Sequence, residues 1–271
     1  MTEIERWVAF SDDPKGGNPA GVVLDAGGLD EAAMLGIAAE VGYSETAFVT
    51  GEAEGKRRVR YFSPLAEVPF CGHATVATAV ALGDGEHLFV TNAGEVPVSV
   101  AGGVATLTSV APRVGPLAAE DLEALLSALR WSAGELDPEL PPRVAYAGAY
   151  HPVLAAASRQ RLAELEYDEP ALKALMEERG WTTVQLVHRT GPGRFDVRDP
   201  FPVGGVYEDP ATGAAAAAFG GYLRALGLAA DDATIELRQG DDLGRPSRIT
   251  VQLRPGEQGV RVRGAAVPIT G

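Results

Sequence analysis

The 271-residue chain has one cysteine, four histidines and fewer basic than acidic residues. A single cysteine excludes an intrachain disulfide and a four-cysteine zinc site, and it fits a reducing compartment. No two histidines have a metal-ligand spacing such as His-x-x-x-His, so the sequence predicts no metal site. The net charge of −14 would repel nucleic acid and the surface of a lipid bilayer, so neither is an expected partner.

Long apolar runs are missing as well. No segment approaches the roughly 18 uninterrupted apolar residues of a membrane span, and acidic residues occupy the start of the chain, where a signal peptide is basic. We therefore expect a cytoplasmic protein. Hydrophobic residues make up 46% of the chain and charged residues 22%, which is typical of a globular domain rather than of a disordered chain.

The predicted elements are short and mixed. Runs of β-branched or aromatic residues bounded by Gly, Pro or Asp predict strands at 7–10, 21–24, 57–62, 88–91, 104–110, 184–188, 234–238, 248–253 and 260–263. Apolar spacing predicts amphipathic helices over 30–41, 122–129 and 168–179. Asp30 is the expected N-cap of the first helix, and Gly42 its C-terminal stop.

Two further predicted helices, 74–82 and 214–226, have almost no polar face over their first two turns. A helix that is apolar all round must be buried on all sides, which in a soluble protein suggests strands wrapped around it. Both helices follow a Glu-x-Pro-x-x-Gly segment, at 67–72 and 208–213, and both have a leucine ten residues after that glycine. The alternative is chance similarity in a chain rich in Ala and Gly.

An internal duplication explains both the shared segment and the two apolar helices. We predict an α+β fold of two similar domains, 1–113 and 114–271, with the last strand able to pack back on the first half. Each domain is expected to be a mixed sheet or barrel around a buried central helix. The active site is expected in the cleft between the domains, where the two glycine-led helix starts would meet.

Those helix starts are candidate anion sites. The first N–H groups of a helix are unpaired within it and lie at the positive end of its dipole, and glycine lets a ligand approach the backbone. The helix starts at Gly72 and Gly213 are therefore candidates for binding a carboxylate, if they meet at one cleft. The alternative is that both glycines only permit tight turns. No phosphate-binding loop or dinucleotide fingerprint is present, so no nucleotide cofactor is expected.

Glu45, His73 and Asp209 are the candidate acid–base residues. Glu45 lies beside apolar Ala47 and Phe48, where a partly desolvated carboxyl suits general acid–base work, although an exposed strand-end glutamate is the simpler interpretation. His73 opens a helix, and a structural role in the turn is its alternative. Asp209 either caps the second buried helix or positions a substrate amine or hydroxyl. We interpret Cys71 as buried and inert, because a two-thiol racemase needs a second cysteine.

Five ordered segments together carry a family resemblance; they are 17–24, 44–49, 60–64, 69–75 and 208–213. In this order and spacing they resemble the PhzF-like phenazine-biosynthesis family, whose fold is that of diaminopimelate epimerase. The resemblance spans about residue 7 to the C-terminus, and residues 113–195 match in layout rather than in motif. It implies two domains, each with a sheet around a central helix.

The resemblance implies an isomerase that uses no metal and no organic cofactor. In characterised members, the glutamate that matches Glu45 moves a proton between carbons of trans-2,3-dihydro-3-hydroxyanthranilate. His73 and Asp209 would position polar groups of the substrate and assist the proton relay. Backbone N–H groups at Gly72, His73, Gly213 and Ala214 would hold its carboxylate. Family resemblance also favours a homodimer.

One position departs from the family pattern. Many members read Gly-Ser-Ala where this chain reads Gly213-Ala214-Ala215, so a hydroxyl near the reacting carbon or carboxylate is missing. The loss of one neutral hydrogen bond is worth about 0.5–1.5 kcal/mol and weakens the assignment of the phenazine precursor as substrate. Two alternatives to the isomerase stay open: an epimerase or racemase that uses Glu45 with an opposing acid such as Asp209, and a catalytically silent binding protein.

Overall fold

The computed structural model describes residues 2–270, which form an α+β structure. Its helices are α1 (Glu31–Val41), α2 (Gly72–Leu82), α3 (Ala119–Leu129), α4 (Arg159–Ala163), α5 (Glu169–Arg179) and α6 (Gly213–Ala225). Short 3₁₀ turns lie at Ala133–Glu135, Pro202–Gly204 and Asp241–Leu243. Within the described range no helix combines the length and the apolar character that crossing a membrane requires.

Strands make up much of the rest. The first eight are β1 (Glu5–Ala9), β2 (Asn18–Val23), β3 (Thr46–Ala53), β4 (Lys56–Phe62), β5 (Glu67–Val68), β6 (Gly85–Thr91), β7 (Gly94–Ala101) and β8 (Val104–Thr108). The others are β9 (Arg113–Pro116), β10 (Arg143–Tyr146), β11 (Tyr150–Ala155), β12 (Gln185–Gly191), β13 (Arg194–Pro200), β14 (Glu208–Asp209), β15 (Thr234–Gln239), β16 (Ser247–Gln252) and β17 (Arg261–Pro268).

The chain divides into two compact units. One unit comprises Met1–Thr108 and Arg263–Gly271, and the other comprises Ser109–Val262. The predicted duplication into halves 1–113 and 114–271 stays a prediction. Most of the C-terminal strand β17 belongs to the first unit, where it pairs with β1 and β8.

The first unit contains a closed eight-stranded mixed barrel. Antiparallel pairs join β1 to β2, β3 to β4, β6 to β7 and β7 to β8, while parallel pairs join β2 to β3 and β4 to β6. Strand β17 completes the circle between β8 and β1. Helix α2 packs against β1, β2, β3, β7 and β8, so it is enclosed by the barrel as its apolar sequence predicts.

Helix α2 fits inside the barrel because its side chains are small and its hydroxyls are satisfied. All residues from His73 to Ala79 are buried. Thr75 and Thr78 donate their hydroxyls to the carbonyls of Cys71 and Ala74, at 2.6 and 2.7 Å. Since these partners lie one turn earlier in the same helix, the polar groups need no water, and the helix can be buried on every side.

The second unit holds a mixed sheet and a second buried helix. The strand pairs run β9–β10, β10–β11, β11–β12, β12–β13, β13–β15 and β15–β16, with β11–β12 and β13–β15 parallel. Helix α6 packs against β9, β10, β11 and β16, and its residues from Ala215 to Leu223 are all buried. A separate core forms under α3 and α5 around Leu125, Leu129 and Met176.

Helices α1 and α5 begin and end where their capping residues predict, whereas α3 begins at Ala119, three residues before the predicted start, and α4 was not predicted. Asp30 accepts a hydrogen bond from the Ala33 N–H at 2.8 Å, and Gly42 takes a left-handed conformation with φ 70° after Val41. Asp168 caps α5 in the same way, and Gly180 stops it with φ 66°. Glycine suits both stops because a side chain is disfavoured at positive φ.

Candidate functional site

The link between α1 and β3 positions Glu45. After Gly42 ends the helix, the chain enters β3 beside β2, and the Gly21 N–H donates to the Glu45 carbonyl at 3.2 Å. Gly21 lies opposite Thr46, and a Cβ at Gly21 would meet the Thr46 hydroxyl at 2.6 Å. A glycine is therefore required for these strands to approach, and the approach fixes the backbone that carries Glu45. The Glu45 side chain is only 16% exposed, unlike the exposed strand-end glutamate of the alternative interpretation.

Asn18, the first residue of β2, also contributes a side chain to this site. Gly17 precedes it with φ 57°, and a Cβ there would meet Val8 Cγ1 at 2.2 Å, so only glycine fits this turn. The buried Asn18 amide then donates from Nδ2 to His73 Nδ1 at 3.2 Å. The Gly-Asn-Pro segment near the N-terminus thus acts on the site through a histidine.

His73, in the first turn of α2, contacts Glu45. Because Asn18 Nδ2 can only donate, His73 Nδ1 accepts, and the proton of a neutral ring lies on Nε2. His73 Nε2 is 3.3 Å from Glu45 Oε2 and 3.4 Å from the Ser44 hydroxyl. A neutral His73 can therefore donate to the Glu45 carboxylate, and the first unit brings these two candidate residues into contact.

Cys71 is buried, as predicted, but it has polar partners. Its Sγ lies 3.5 Å from Glu45 Oε2 and 3.4 Å from His73 Nδ1. Glu45, Cys71 and His73 each place a possible ligand atom within 4.8 Å of the others. Sequence spacing alone gives no sign of this cluster, because Glu45 comes from a different element 26 residues earlier.

Gly72 leaves open space at the start of α2. A Cβ added there would meet only the Phe70 ring at 4.0 Å, an ordinary contact. Cys71 is the N-cap, and its side chain does not accept a capping hydrogen bond from the backbone N–H groups of the first turn. Packing therefore does not require glycine at this position, and the absent side chain leaves room for a group beside the first N–H groups of α2.

In the second unit, Asp209 lies on β14 before α6. The Thr212 hydroxyl donates to Asp209 Oδ2 at 2.7 Å. The buried Gln239 amide donates to the Asp209 carbonyl at 2.8 Å and accepts from the Thr212 N–H at 3.1 Å. Gly213 and Ala214 follow as the first residues of α6, and both are partly exposed. The amide of Gln239 therefore fixes the turn that carries Asp209.

A buried polar chain lies beside Asp209, and no local sequence pattern indicates it. Asp199 lies opposite Asp209 in the β13–β14 pair, and its Oδ1 accepts from the Thr183 hydroxyl at 2.9 Å. Thr183 Oγ1 is also 2.9 Å from His151 Nδ1. Burial raises the pKa of Asp199 well above its usual value, and burial lowers the pKa of His151 to about 4.

The chain matches a family model described as PhzC-PhzF, phenazine biosynthesis-like protein, over residues 8–271. An uncharacterised isomerase of Deinococcus radiodurans is 37% identical, over 98% of this chain and 89% of its own length. The trans-2,3-dihydro-3-hydroxyanthranilate isomerase of Pseudomonas chlororaphis is 34% identical, over 88% of this chain and 86% of its own.

Solved structures of the same family and of one other kind of enzyme superpose on the chain. A PhzF-family phenazine biosynthesis protein of Bacillus anthracis superposes with a TM-score of 0.88 at 25% identity, covering 99% of this chain and 97% of that protein. A probable proline racemase of Agrobacterium radiobacter superposes with a TM-score of 0.67 at 13% identity, covering 99% and 91% of the two chains. The second likeness shows a shared fold and nothing about chemistry.

Proposed function

Because the chain belongs to the phenazine biosynthesis-like family and is an isomerase of that family, we propose that it moves a proton within a small carboxylate-bearing substrate through Glu45. The observation that carries this proposal is the contact of Glu45 Oε2 with His73 Nε2 at 3.3 Å, in a site where both side chains are largely removed from water. The proposed reaction uses no metal or organic cofactor.

Glu45 supplies both halves of the proton transfer. As a carboxylate it accepts a proton from one carbon, and as a carboxylic acid it returns that proton to another carbon on the same face. His73 Nε2–H stabilises the carboxylate before the transfer, and Asn18 holds the ring in the required tautomer. General acid–base help of this kind is worth about 10²–10⁴-fold, so orientation of the substrate supplies much of the remaining acceleration.

The proposed substrate class follows from the helix starts and from one relative. The open space beside Gly72 favours a carboxylate at the N–H groups of Gly72 and His73. Gly213 and Ala214 are proposed to bind the substrate as well, with Asp209 positioning an amine or hydroxyl. The Pseudomonas relative is named for dihydro-hydroxyanthranilate, an unsaturated amino acid. We propose a substrate of this class, with a double bond beside an exchangeable carbon position.

Deuterium exchange followed by NMR tests the proposal. The protein is incubated in D₂O with small unsaturated amino and hydroxy acids, including dihydro-hydroxyanthranilate, and each carbon is followed. We expect deuterium at one carbon with the wild type and a loss of about 10²–10⁴-fold with Glu45→Gln. Glu40→Gln, which changes an exposed glutamate at the end of α1, is the matched control and should exchange like the wild type.

The pattern of exchange separates the alternatives. Movement of the double bond together with the label indicates an isomerase, whereas inversion at a single labelled carbon indicates an epimerase that needs a second acid. Loss of inversion in Asp209→Asn would assign that acid. Exchange that survives Glu45→Gln would refute the assigned base. Ligand-induced stabilisation without exchange, unchanged in Glu45→Gln, would identify a binding protein.

A further inference from the structure

Three buried side chains of the second unit form a hydrogen-bonded chain that ends opposite Asp209. His151 Nδ1 lies 2.9 Å from Thr183 Oγ1, and the Thr183 hydroxyl donates to Asp199 Oδ1 at 2.9 Å. His151, Thr183 and Asp199 are fully buried, and they come from β11, from the link before β12 and from β13. The buried polar chain therefore joins three elements to the strand pair that carries Asp209.

The donors available fix the direction of these hydrogen bonds. The Thr183 hydroxyl has one proton and gives it to Asp199, so Thr183 Oγ1 accepts from His151 Nδ1–H. A neutral His151 makes this donation, in agreement with the burial that lowers its pKa. The histidine end of the chain thus brings a hydrogen-bond donor towards Asp199 without bringing a positive charge.

The second carboxyl oxygen of Asp199 is the one that carries a proton most readily. Among the residues that the structure describes, Oδ2 has no partner in good hydrogen-bond geometry, so an ionised Asp199 would bury a charged and unpaired oxygen. The Thr212 hydroxyl is near enough to Asp199 to lower its pKa. Thr212 Oγ1 accepts from Gln239 Nε2 at 3.0 Å, and its remaining lone pair can accept a proton held on Asp199.

Thr212 connects the two acids, because its own proton goes to Asp209 Oδ2 at 2.7 Å. With Asp199 protonated and Asp209 ionised, each proton in the connection has one acceptor. With both acids ionised, two carboxylates would compete for the single proton of Thr212, and two negative charges would share one buried region.

The charged groups that reach Asp199 are negative. Its face of β13 receives Gln185 from β12 and Gln239 from β15, which are both buried and uncharged. Strand β14 brings Asp209 and Glu208, whose charges raise the pKa of Asp199. Other charged groups near β13 lie on its opposite face because side chains alternate along a strand; they are Arg159, Asp196, Arg198 and Asp242.

We propose that Asp199 is a positioning residue for the reaction: it keeps a proton, and this proton lets Asp209 remain an oriented carboxylate that binds an amine or hydroxyl of the substrate. Loss of the proton at alkaline pH takes the Thr212 hydrogen bond away from Asp209 and adds a charge that repels the substrate carboxylate. The effect on the reaction rests on the proposed function, whereas the protonation of Asp199 does not.

Infrared difference spectroscopy of the full chain without substrate tests the protonation. The wild type minus Asp199→Asn at pH 7 should show the C=O band of a protonated carboxylic acid, and the band should be lost as the pH is raised. Asp232→Asn, which changes an exposed aspartate before β15, is the matched control and should keep the band. A difference spectrum without the band would overturn the proposal.

The pH dependence of deuterium exchange tests the positioning role. Because asparagine cannot ionise, the kcat/KM of the wild type divided by that of Asp199→Asn should fall about tenfold per pH unit above the pKa of Asp199. Ionisation of the substrate affects both proteins equally and cancels in this ratio. A ratio that stays constant through the pH range in which the infrared band is lost would refute the role.

Asp199→Leu gives a test at neutral pH. Asparagine keeps a donor for Thr212 and should preserve exchange, whereas leucine has none and should lower kcat/KM about tenfold or more, because Asp209 loses its orientation. Equal kcat/KM in the two variants would contradict the proposal. Circular dichroism confirms that each variant is folded.

Thr183→Val gives a shift that a purely structural role does not produce. Thr183 donates to Asp199 and so favours its ionised form, and removal of one neutral hydrogen bond should move the loss of the band and the fall in exchange to higher pH by about 0.5–1 unit. Thr183→Ser keeps the hydroxyl and should titrate like the wild type. A shift to lower pH in Thr183→Val would contradict the proposed direction of the hydrogen bond.

The two readouts fail separately. The infrared band without exchange on any substrate would leave Asp199 protonated, and it would refute the proposed reaction together with the positioning role. Exchange that requires Glu45 but is insensitive to the state of Asp199 would leave the proposed function standing and refute the role of Asp199.

Discussion

Asp199 and Asp209 lie directly opposite each other in the β13–β14 pair, and both are buried. Side chains of opposed residues in an antiparallel pair lie on the same face of the sheet, so the two carboxyl groups share one buried region. Burial, followed by the charges of Asp209 and Glu208, raises the pKa of Asp199 well above its usual value, while hydrogen bonds from Thr183 and Thr212 oppose the rise. Asp199 therefore keeps its proton where an exposed aspartate is ionised.

Replacing Asp199 by asparagine tests that protonation state. Asparagine has the same shape and a donor where the protonated acid has its O–H, so Asp199→Asn should fold with nearly unchanged stability at low pH. The raised pKa makes the folded wild type bind a proton that the unfolded chain releases above about pH 4. As pH rises towards the pKa of Asp199 in the folded protein, the wild type therefore loses about 1.4 kcal/mol of unfolding free energy per pH unit relative to the variant.

Urea unfolding of both proteins between pH 4 and 8 measures this difference. Asp199→Leu, which fills the site without a donor or acceptor, is the comparison that separates hydrogen bonding from charge. A stability difference between wild type and Asp199→Asn that does not grow with increasing pH would mean that Asp199 is ionised in the folded protein.

His151 should produce the opposite pH dependence. Burial lowers its pKa to about 4 from a usual value near 6.5, so the folded state binds fewer protons than the unfolded chain in that interval. Its contribution to stability is complete above about pH 6.5 and is lost as pH falls towards 4, by about 1.4 kcal/mol per unit. In the wild type below pH 6.5, this change of unfolding free energy with pH partly cancels the opposite change caused by Asp199.

His151→Gln removes the pH dependence of stability that His151 causes, so the opposite dependence caused by Asp199 is no longer partly cancelled. Its unfolding free energy, measured by urea titration from pH 4 to 7, should fall with rising pH more steeply than that of the wild type. NMR titration of the His151 ring gives an independent check, since a midpoint near 6.5 would contradict the lowered pKa.

Much of the first unit follows from local sequence signals. The all-apolar sequence of α2 predicts a helix enclosed by strands, and the barrel encloses it. Asp30 and Gly42 mark the ends of α1 correctly because capping depends on a few neighbouring backbone groups. Motifs of the family name Glu45 and His73 as candidate site residues, and their contact at 3.3 Å comes from two elements whose approach no local pattern predicts.

Other features depend on distant neighbours and left no local signal. Strand β11 was missed because Pro152 is disfavoured inside a sheet, and β13 was missed because it carries Arg198 and Asp199, which sequence patterns assign to a surface. Both charged residues are buried, and the partners that permit this come from other elements, Glu208 for Arg198 and Thr183 for Asp199. No pattern within β13 predicts those partners.

Arg198 and Glu208 form a buried ion pair beside Asp209. Arg198 Nε donates to Glu208 Oε1 at 2.9 Å, with 8% and 0% of the two side chains exposed. Arg198→Met leaves a buried carboxyl without its cation and should cost about 3–5 kcal/mol of unfolding free energy. Lys56→Met breaks the exposed Lys56–Glu95 pair and should cost less than about 1 kcal/mol. Equal losses in the two variants, measured by urea unfolding, would show that the Arg198 pair is exposed to water.

Two helical glycines should respond to alanine with opposite signs. Alanine is favoured over glycine in a helix by about 0.8–1.0 kcal/mol. At Gly36 in α1 a Cβ meets nothing within 4 Å, so Gly36→Ala should stabilise the protein by about that amount. At Gly220 in α6 a Cβ would lie 2.6 Å from Val251 Cγ1 and 2.9 Å from Val260 Cγ1.

The crowding at Gly220 outweighs the helix preference. Overpacking of a core costs about 1–3 kcal/mol, so Gly220→Ala should be destabilising despite the gain in helix propensity. Thermal unfolding of the two variants, which differ from the wild type by one methyl group each, shows whether each substitution raises or lowers the stability under the same conditions. The double change Gly220→Ala with Val251→Ala should recover part of the crowding cost, because it removes the methyl group that the new Cβ approaches most closely. A stabilising Gly220→Ala would mean that α6 packs less tightly against β16 than its contacts indicate.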